Sequence, residues 1–301
     1  MNFNQLQSQL KESSWRLGIV LNGYDDLQKN SIHWISNGKY TSKWFADPFI
    51  LSYDDKVITL LVEEFDYQVH RGRLARLLVD RANWVITDCK IILDLPTHLS
   101  FPMIWRKEGK VYVCPENFHS GKWDMYEYDE QKEELTFVRT LMNEKLTDAT
   151  IFEHEGETYL LSTYDPTPNG KLLTIWKMVG ESFERVQDVA FDEKIARNAG
   201  KIFSWKGKLI RPAQECNQVY GHAMVFQEVS IKDGQFSFIE LYRYNPTHPT
   251  FKVGTHTYNQ SEGEMAVIDV KGRRYPVMGA LRDFALEIAI RLHLKKRYEL
   301  K

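Results

Sequence analysis

Acidic residues recur at matched places along this 301-residue chain. Asp47 stands at the entrance of the apolar run WFADPFILSY, and Glu63 and Glu64 close the next run, VITLLVEEF. Asp148 and Arg197 open the later runs DATIFEHEG and RNAGKIFSW, while Glu116 (CPENF) and Glu215 (AQECN) close two others. An apolar strand gains nothing from a carboxylate at its end, and clustered like charges cost energy. Brought to one cleft, such acids push each other's pKa values apart, which suits a general acid working with a general base. Two carboxyls flanking a sugar can hydrolyse a glycosidic bond. Transfer from a phosphate-activated sugar asks less of an acid, because phosphate already leaves well; it needs a base for the acceptor hydroxyl and cations for the phosphate. Asp47 is the candidate base in either case, with Glu116 or Glu215 as the acid. Arg71, Arg197 and Arg211 are the candidates to grip phosphate through forked hydrogen bonds. Singly, each acid reads as a strand-end charge or turn cap and each arginine as an ion-pair partner; it is the recurrence that argues for a site.

Other side chains carry weaker signals. His98, in HLSFP, reads as a backbone hydrogen-bond partner before it reads as chemistry. His256, in GTHTYN, lies among polar residues that suit sugar hydroxyls. Trp123 and Tyr126 have rings that could stack on a sugar, although core packing is the better reading. No GxGxxG loop, P-loop or Asp-x-Asp pair occurs, and no His/Cys group has zinc spacing, so no cofactor and no metal are expected. Net charge is −2, which gives no basic field for nucleic acid. The three cysteines, Cys89, Cys114 and Cys216, form no CxxC pair and sit in strand-like sequence, which suits reduced thiols. The polar start MNFNQLQSQLKESSW has no apolar signal core, and no run of about 18 apolar residues occurs. A cytoplasmic protein is expected.

The elements that would position these residues repeat. Phrases beginning at Ala46, Ser100, Thr147, Arg197 and Gly263 each read as strand, turn, strand, with the turns at Asp55, Gly109, Gly156, Gly207 and Gly272. Those turns lie roughly 47 to 65 residues apart, the spacing of propeller blades. A third and a fourth strand follow the first four hairpins, for example GRLARLLVD with WVITDCKIIL and AMVFQEVSI with FSFIELYRY. The spacing predicts an all-β, five-bladed β-propeller over residues 1–280, with WRLGIVLNGY near the N-terminus closing the last blade. In such a fold the start of each innermost strand and the end of the second strand meet at one mouth of the central channel. Side chains alternate along a strand, so one of Glu63 and Glu64 faces that mouth. The exception is residues 281–301, whose apolar positions at Leu281, Phe284, Ala285, Ile288 and Leu292 have helical spacing. This C-terminal helix, with Lys295, Lys296 and Arg297 in its last turns, either packs on the propeller or docks on an anionic membrane or a partner.

The motif FADPF, followed by a strand ending in Glu, resembles the five-bladed propellers of glycoside hydrolase family 43 and of the invertase and levansucrase families. The chain is more similar still to the propeller at the N-terminus of plant inositolphosphorylceramide glucosamine transferases and its stand-alone bacterial relatives. The matching phrases are FADPF, HLSFPMI, PEN, RNAG, and QEC with YG, over roughly residues 44 to 225. The resemblance adds Gln214 and Tyr220 to the candidate site. Family 43 uses an Asp base, a second orienting Asp and a Glu acid; Asp47 matches the base, but Phe101-Pro102 stands where the second Asp-Pro is expected. The resemblance therefore implies glycosyl transfer in polysaccharide or glycolipid assembly, with an activated sugar donor and a glycan acceptor as partners. A family 43-like glycoside hydrolase and a non-catalytic glycan-binding partner of a transferase are the alternatives.

Overall fold

A computed structural model of the chain describes residues 12–261, 265–275, 277–278, 281 and 288. It has five four-stranded antiparallel sheets. Blade I comprises β3 (Lys43–Tyr53), β4 (Val57–Asp66), β5 (Gly72–Asp80) and β6 (Val85–Leu93). Blade II comprises β7 (Ser100–Lys107), β8 (Lys110–Glu116), β9 (Trp123–Asp129) and β10 (Glu134–Met142). Blade III has β11 (Leu146–His154), β12 (Glu157–Tyr164), β13 (Leu172–Val179) and β14 (Ser182–Ala190). Blade IV has β15 (Phe203–Trp205), β16 (Lys208–Glu215), β17 (Ala223–Lys232) and β18 (Gln235–Tyr244). Blade V joins both ends of the chain: β19 (Tyr258–Gln260) and β20 (Ala266–Arg273) pair with β1 (Ser13–Val20) and β2 (His33–Trp34) from the N-terminus. Its ladder runs unbroken from Ser13↔Arg273 to Val20↔Ala266. Closing the ring with both termini leaves no blade dependent on one end alone.

The blade-V turn expected at Gly272 is not there. Gly272 lies inside β20, opposite Ser14; β19 ends at Gln260 and its partner β20 begins at Ala266, with the Ser261 N–H donating to the Met265 carbonyl at 2.8 Å. The sequence signal misled because Gly272 serves a close approach: a Cβ there would meet the Phe251 ring at 2.7 Å. The hairpins at Gly109, Gly156 and Gly207 turn as expected, each with a second positive φ at the preceding Glu108, Glu155 or Lys206. The Asp55 hairpin is built differently: Asp54 Oδ1 accepts the backbone N–H groups of Lys56 and Val57 at 2.7 and 2.8 Å. A short helix, α1 (Gly23–Gln28), follows β1. The helix expected over 281–301 lies outside the described residues apart from single positions.

Apolar side chains fill the spaces between blades. One cluster spans blades I to III through Phe49, Phe101, Met103, Trp105, Trp123 and Leu160; Trp123 is thus a core side chain. Others join blades V and I, IV and V, and III and IV. Cys89, Cys114 and Cys216 are free thiols, the last two buried.

Candidate functional site

Three innermost strands carry the same distortion at the same mouth. The register slips between Ala46 and Phe49, between Ser100 and Met103, and between Thr147 and Thr150. At each bulge one residue takes a left-handed backbone: Asp47 at φ 49°, Phe101 at φ 44° and Asp148 at φ 44°. That conformation costs a non-glycine residue on the order of 1–3 kcal/mol, so the surroundings must enforce it. They do so with carboxylates from neighbouring blades. The Asp47 N–H donates to Asp269 Oδ2 at 3.0 Å, the Phe101 N–H to Asp47 Oδ2 at 3.1 Å, and the Asp148 N–H to Glu116 Oε2 at 2.8 Å. Each bulge is keyed by an acid of the preceding blade. Phe101 thus fills in blade II the backbone position that Asp47 holds in blade I, and the second aspartate in that position is Asp148, one blade further on.

The bulges lie beside a cavity of about 220 Å³ whose lining includes Asp47, Glu63, His98, Glu116 and Arg197, with Trp15, Trp44, Tyr220, His256 and Lys271. Asp47 is held at both oxygens, since Oδ1 accepts the Thr257 hydroxyl at 2.7 Å. Burial pushes its pKa up to about 7, opposed by His256. Glu116 Oε2 also accepts Arg197 Nη2 at 3.1 Å, so that oxygen is occupied and a proton belongs on Oε1. Burial pushes Glu116 up to about 8 despite Arg197. Arg197 Nε donates to Asp148 Oδ2 at 2.5 Å, and Gln214 Nε2 donates to the same oxygen at 2.5 Å. Burial works against the Arg197 charge, but Asp148 and Glu116 more than offset it and raise its pKa well above the ordinary value.

His256 stacks on Trp15 with centroids 3.9 Å apart. Its Nδ1 lies 2.9 Å from Asp269 Oδ2 and 3.7 Å from Asp47 Oδ1. Burial alone would lower its pKa; the two carboxylates outweigh that and raise it. His98 Nδ1 accepts the Gly72 N–H at 3.0 Å, as the backbone reading expects, and Nε2 lies 3.0 Å from Glu63 Oε1. Burial alone would lower the His98 pKa, but Glu63 outweighs it and raises it; Glu63 Oε1 has no other donor among the described residues. Only glycine fits at 72, where a Cβ would stand 2.4 Å from the Leu99 carbonyl oxygen.

Several sequence candidates lie elsewhere. Glu64 points to the opposite side of its strand, bonded to Lys43 at 2.5 Å and Arg73 at 3.0 Å. Glu215 is buried at the end of β16, where Oε1 accepts the Asn217 N–H at 2.6 Å, and it does not line the cavity. Gln214 is buried behind Asp148. Arg211 sits in the core of blade IV, donating to Asn198 at 2.9 Å and Gln227 at 2.6 Å; burial pulls its pKa down to about 9. Arg71 pairs with Asp94 outside the cavity. Asp269 and Lys271 were not among the candidates. Asp269 is fully buried and accepts the backbone N–H groups of Asp47, His256 and Thr257. A carboxylate in the middle of AVIDV was the available signal, since a charge is otherwise out of place in such a strand.

Asp47, His256 and Asp269 place one ligating atom each within 4.8 Å of one another, the spacing a cation could use. Their oxygens already accept the Thr257 hydroxyl, the Nδ1 contact of His256 and backbone N–H groups. The donor set therefore fits a hydrogen-bond network better than an open metal cage.

The fold and its acid-lined mouth define a five-bladed β-propeller with a polar site at one end of the channel. Solved structures of the same fold include an exo-β-1,3-galactanase from Phanerochaete chrysosporium (TM-score 0.54, 9% identity, covering 70% of this chain and 55% of that one). A GH43 β-xylosidase/α-arabinofuranosidase from a compost microbial metagenome also shares it (TM-score 0.52, 14% identity, 74% and 83% covered). At such identities the likeness concerns the fold alone. The chain belongs to the family described as "Glucosamine inositolphosphorylceramide transferase 1, N-terminal", which matches residues 31–247. Curated relatives named glucosamine inositolphosphorylceramide transferase 1 occur in Oryza sativa subsp. japonica (28% identical over 206 residues, 64% of this chain) and Arabidopsis thaliana (25% over 207 residues, 65%). The chain spans about a quarter, 27%, of the length of those relatives.

Proposed function

We propose that this propeller is a glycosyl-transfer enzyme of glycolipid or cell-surface polysaccharide assembly, taking an activated sugar donor and a glycan or lipid-borne acceptor. The observation that carries the reading is the pairing of Asp47 and Glu116 on one cavity, with burial separating their pKa values from ordinary carboxylates. Asp47, oriented by Thr257 and the Phe101 N–H, takes the proton of the acceptor hydroxyl. Glu116, kept protonated at neutral pH, donates to the leaving oxygen, and Glu63, paired with His98 through Oε1, accepts a hydroxyl of the bound sugar. Asp148 and Arg197 fix Glu116, with Gln214 behind them. The transferase names of the relatives support this class. The cytoplasmic location and the docking of residues 281–301 at a membrane or partner belong to the proposal on the sequence pattern alone.

The same two carboxyls favour a second reading, a hydrolase in which Asp47 activates water. Mass spectrometry of nucleotide- and lipid-linked sugar donors incubated with wild type and Asp47→Asn separates the two. Consumption of one donor by wild type alone is the expected result. Sugar released from a finished glycan, with every activated donor left intact, would replace transfer by hydrolysis. Unchanged turnover in Asp47→Asn would remove Asp47 from the chemistry.

A further inference from the structure

Every other cation of the acid-lined cavity is matched by a carboxylate. Arg197 has Asp148 and Glu116, His98 has Glu63, and His256 has Asp269. Lys271 is the exception: among the described residues its ammonium has no ion pair and no side-chain hydrogen bond. It lies against two aromatic faces instead, 5.4 Å from the Trp15 ring centroid and 5.5 Å from that of Tyr220. Tyr220 carries a second unused donor, since its hydroxyl has no hydrogen-bond partner among the described residues. Both side chains line the cavity. Their position is defined from two sides. Trp15 stacks on His256, which reaches Asp47, and Tyr220 lies under Arg197, 5.0 Å from its guanidinium carbon, which reaches Glu116.

We infer that Lys271 and Tyr220 form a seat for a phosphate group of the substrate on the wall of this cavity. The inference rests on the activated-sugar reading for the identity of the anion, but not for the existence of the seat. An ammonium is a point charge that takes a phosphate oxygen from any direction, and the phenol adds one directional donor. No carboxylate forms an ion pair with the ammonium among the described residues, so an arriving anion would be its first direct counter-ion. Burial, joined by Arg273, lowers the Lys271 pKa, and the more distant Asp269 offsets this only in part. A phosphate bound here pairs with Lys271, because the other cations of the cavity already face its acids.

The test uses inorganic pyrophosphate as the probe and the indole N–H resonance of Trp15 as the reporter. Wild type is expected to show a saturable shift. Lys271→Met keeps the stem packed on Trp15 and is expected to weaken binding about 10-fold or more, Lys271→Arg to stay within about 3-fold, and Tyr220→Phe to lose several-fold. No Trp15 shift in folded wild type at about 10 mM pyrophosphate, or equal affinity in Lys271→Met, would overturn the seat. Displacement of pyrophosphate by a nucleoside diphosphate assigns the seat to the donor; displacement by a glycerophosphodiester assigns it to a lipid headgroup. An uncharged methyl hexoside, titrated into wild type and Asp47→Asn, tests the sugar site separately. No hexoside binding by wild type, with the pyrophosphate shift retained, would sink the sugar reading and leave the seat standing, and hexoside binding by wild type with no pyrophosphate shift would sink the seat alone.

Discussion

The two mouths of the channel are built from the same five strands and differ in nearly everything else. At the second mouth the far ends of those strands surround a larger cavity, about 700 Å³, lined by Phe49, Leu51, Ile104, Trp105, Ile151 and Phe152 with exposed polar residues at its rim. Apart from Asn259, whose amide is bonded to the Pro48 carbonyl and the Lys201 N–H, its buried lining is apolar, and the Trp105 indole N–H is bonded to Glu153 at 3.0 Å. The first mouth is smaller, about 220 Å³, yet it holds the left-handed Asp47, the buried Glu63 and Arg197 and the largely buried Glu116. Cavity size does not mark the site. What marks it is buried charge, maintained by backbone strain and by acceptor groups left open.

The comparison breaks most visibly under substitution. Asp47→Asn is expected to lower turnover about 10²–10⁴-fold, the usual loss for a general base, while Tyr53→Ala at the opposite mouth changes it less than about 2-fold; initial rates on one donor check both. Glu116→Gln should cost about 10²-fold or more with a poor leaving group and much less with a good one, which rates on a leaving-group series would show. A large effect at Tyr53 would move the site to the other end of the channel.

Asp269→Asn sharpens the account of positioning. The side chain touches no cavity but holds the Asp47 and Thr257 backbone. Turnover is expected to fall about 10- to 100-fold with KM little changed, because orientation rather than binding is lost. A drop in stability of roughly 1–3 kcal/mol, read from denaturant unfolding, should accompany it.

Acidity gives a further contrast. Asp47 acts as a base only when ionised, so activity falls as pH drops through about 7; Glu116 acts as an acid only when protonated, so activity falls as pH rises through about 8. A bell with its optimum between these values is expected, the two limbs belonging to the pair together. Stability moves with Glu116 as well. Folding raises its pKa from 4.5 to about 8, so the native chain keeps a proton that the unfolded chain loses across that window. Stability conferred by the protonated form is full below 4.5 and lost as pH rises through 8. Glu116→Gln carries no such proton; its Tm relative to wild type should rise between pH 5 and 8 by on the order of 2 °C or more. The smallest effect is expected at the second mouth, where Trp105→Phe removes one hydrogen bond worth about 0.5–1.5 kcal/mol and leaves turnover unchanged.

Much of this was legible in the sequence, because hairpins announce themselves locally. GRLARLLVD and LLTIWKMV coincide with β5 and β13, and the positions of Asp47, Glu116, Asp148 and Arg197 follow from where strands begin and end. The alternation rule correctly left one glutamate of the pair, Glu63, on the cavity. What was not legible depends on contacts between blades. Asp269 matters because a bulge in blade I donates to it from 222 residues away. Lys271 is distinguished by partners it lacks, which no local pattern can show. Glu215 looked equivalent to Glu116 by position, but its carboxylate turns back to Asn217. Arg211 and Arg71 looked like phosphate ligands because arginine type carries no information about which way a strand faces. The short β19 and the glycine inside β20 misplaced the fifth turn.

The most direct measurement is a crystal structure of Glu116→Gln, slowed but able to bind, with the donor that wild type consumes. The expected result is a sugar ring between Asp47 and residue 116, with a hydroxyl on Glu63. A sugar seated instead beside Tyr53 and Trp105, with the first mouth unchanged, would contradict the assignment and make the carboxylate cluster a device for locking blades together.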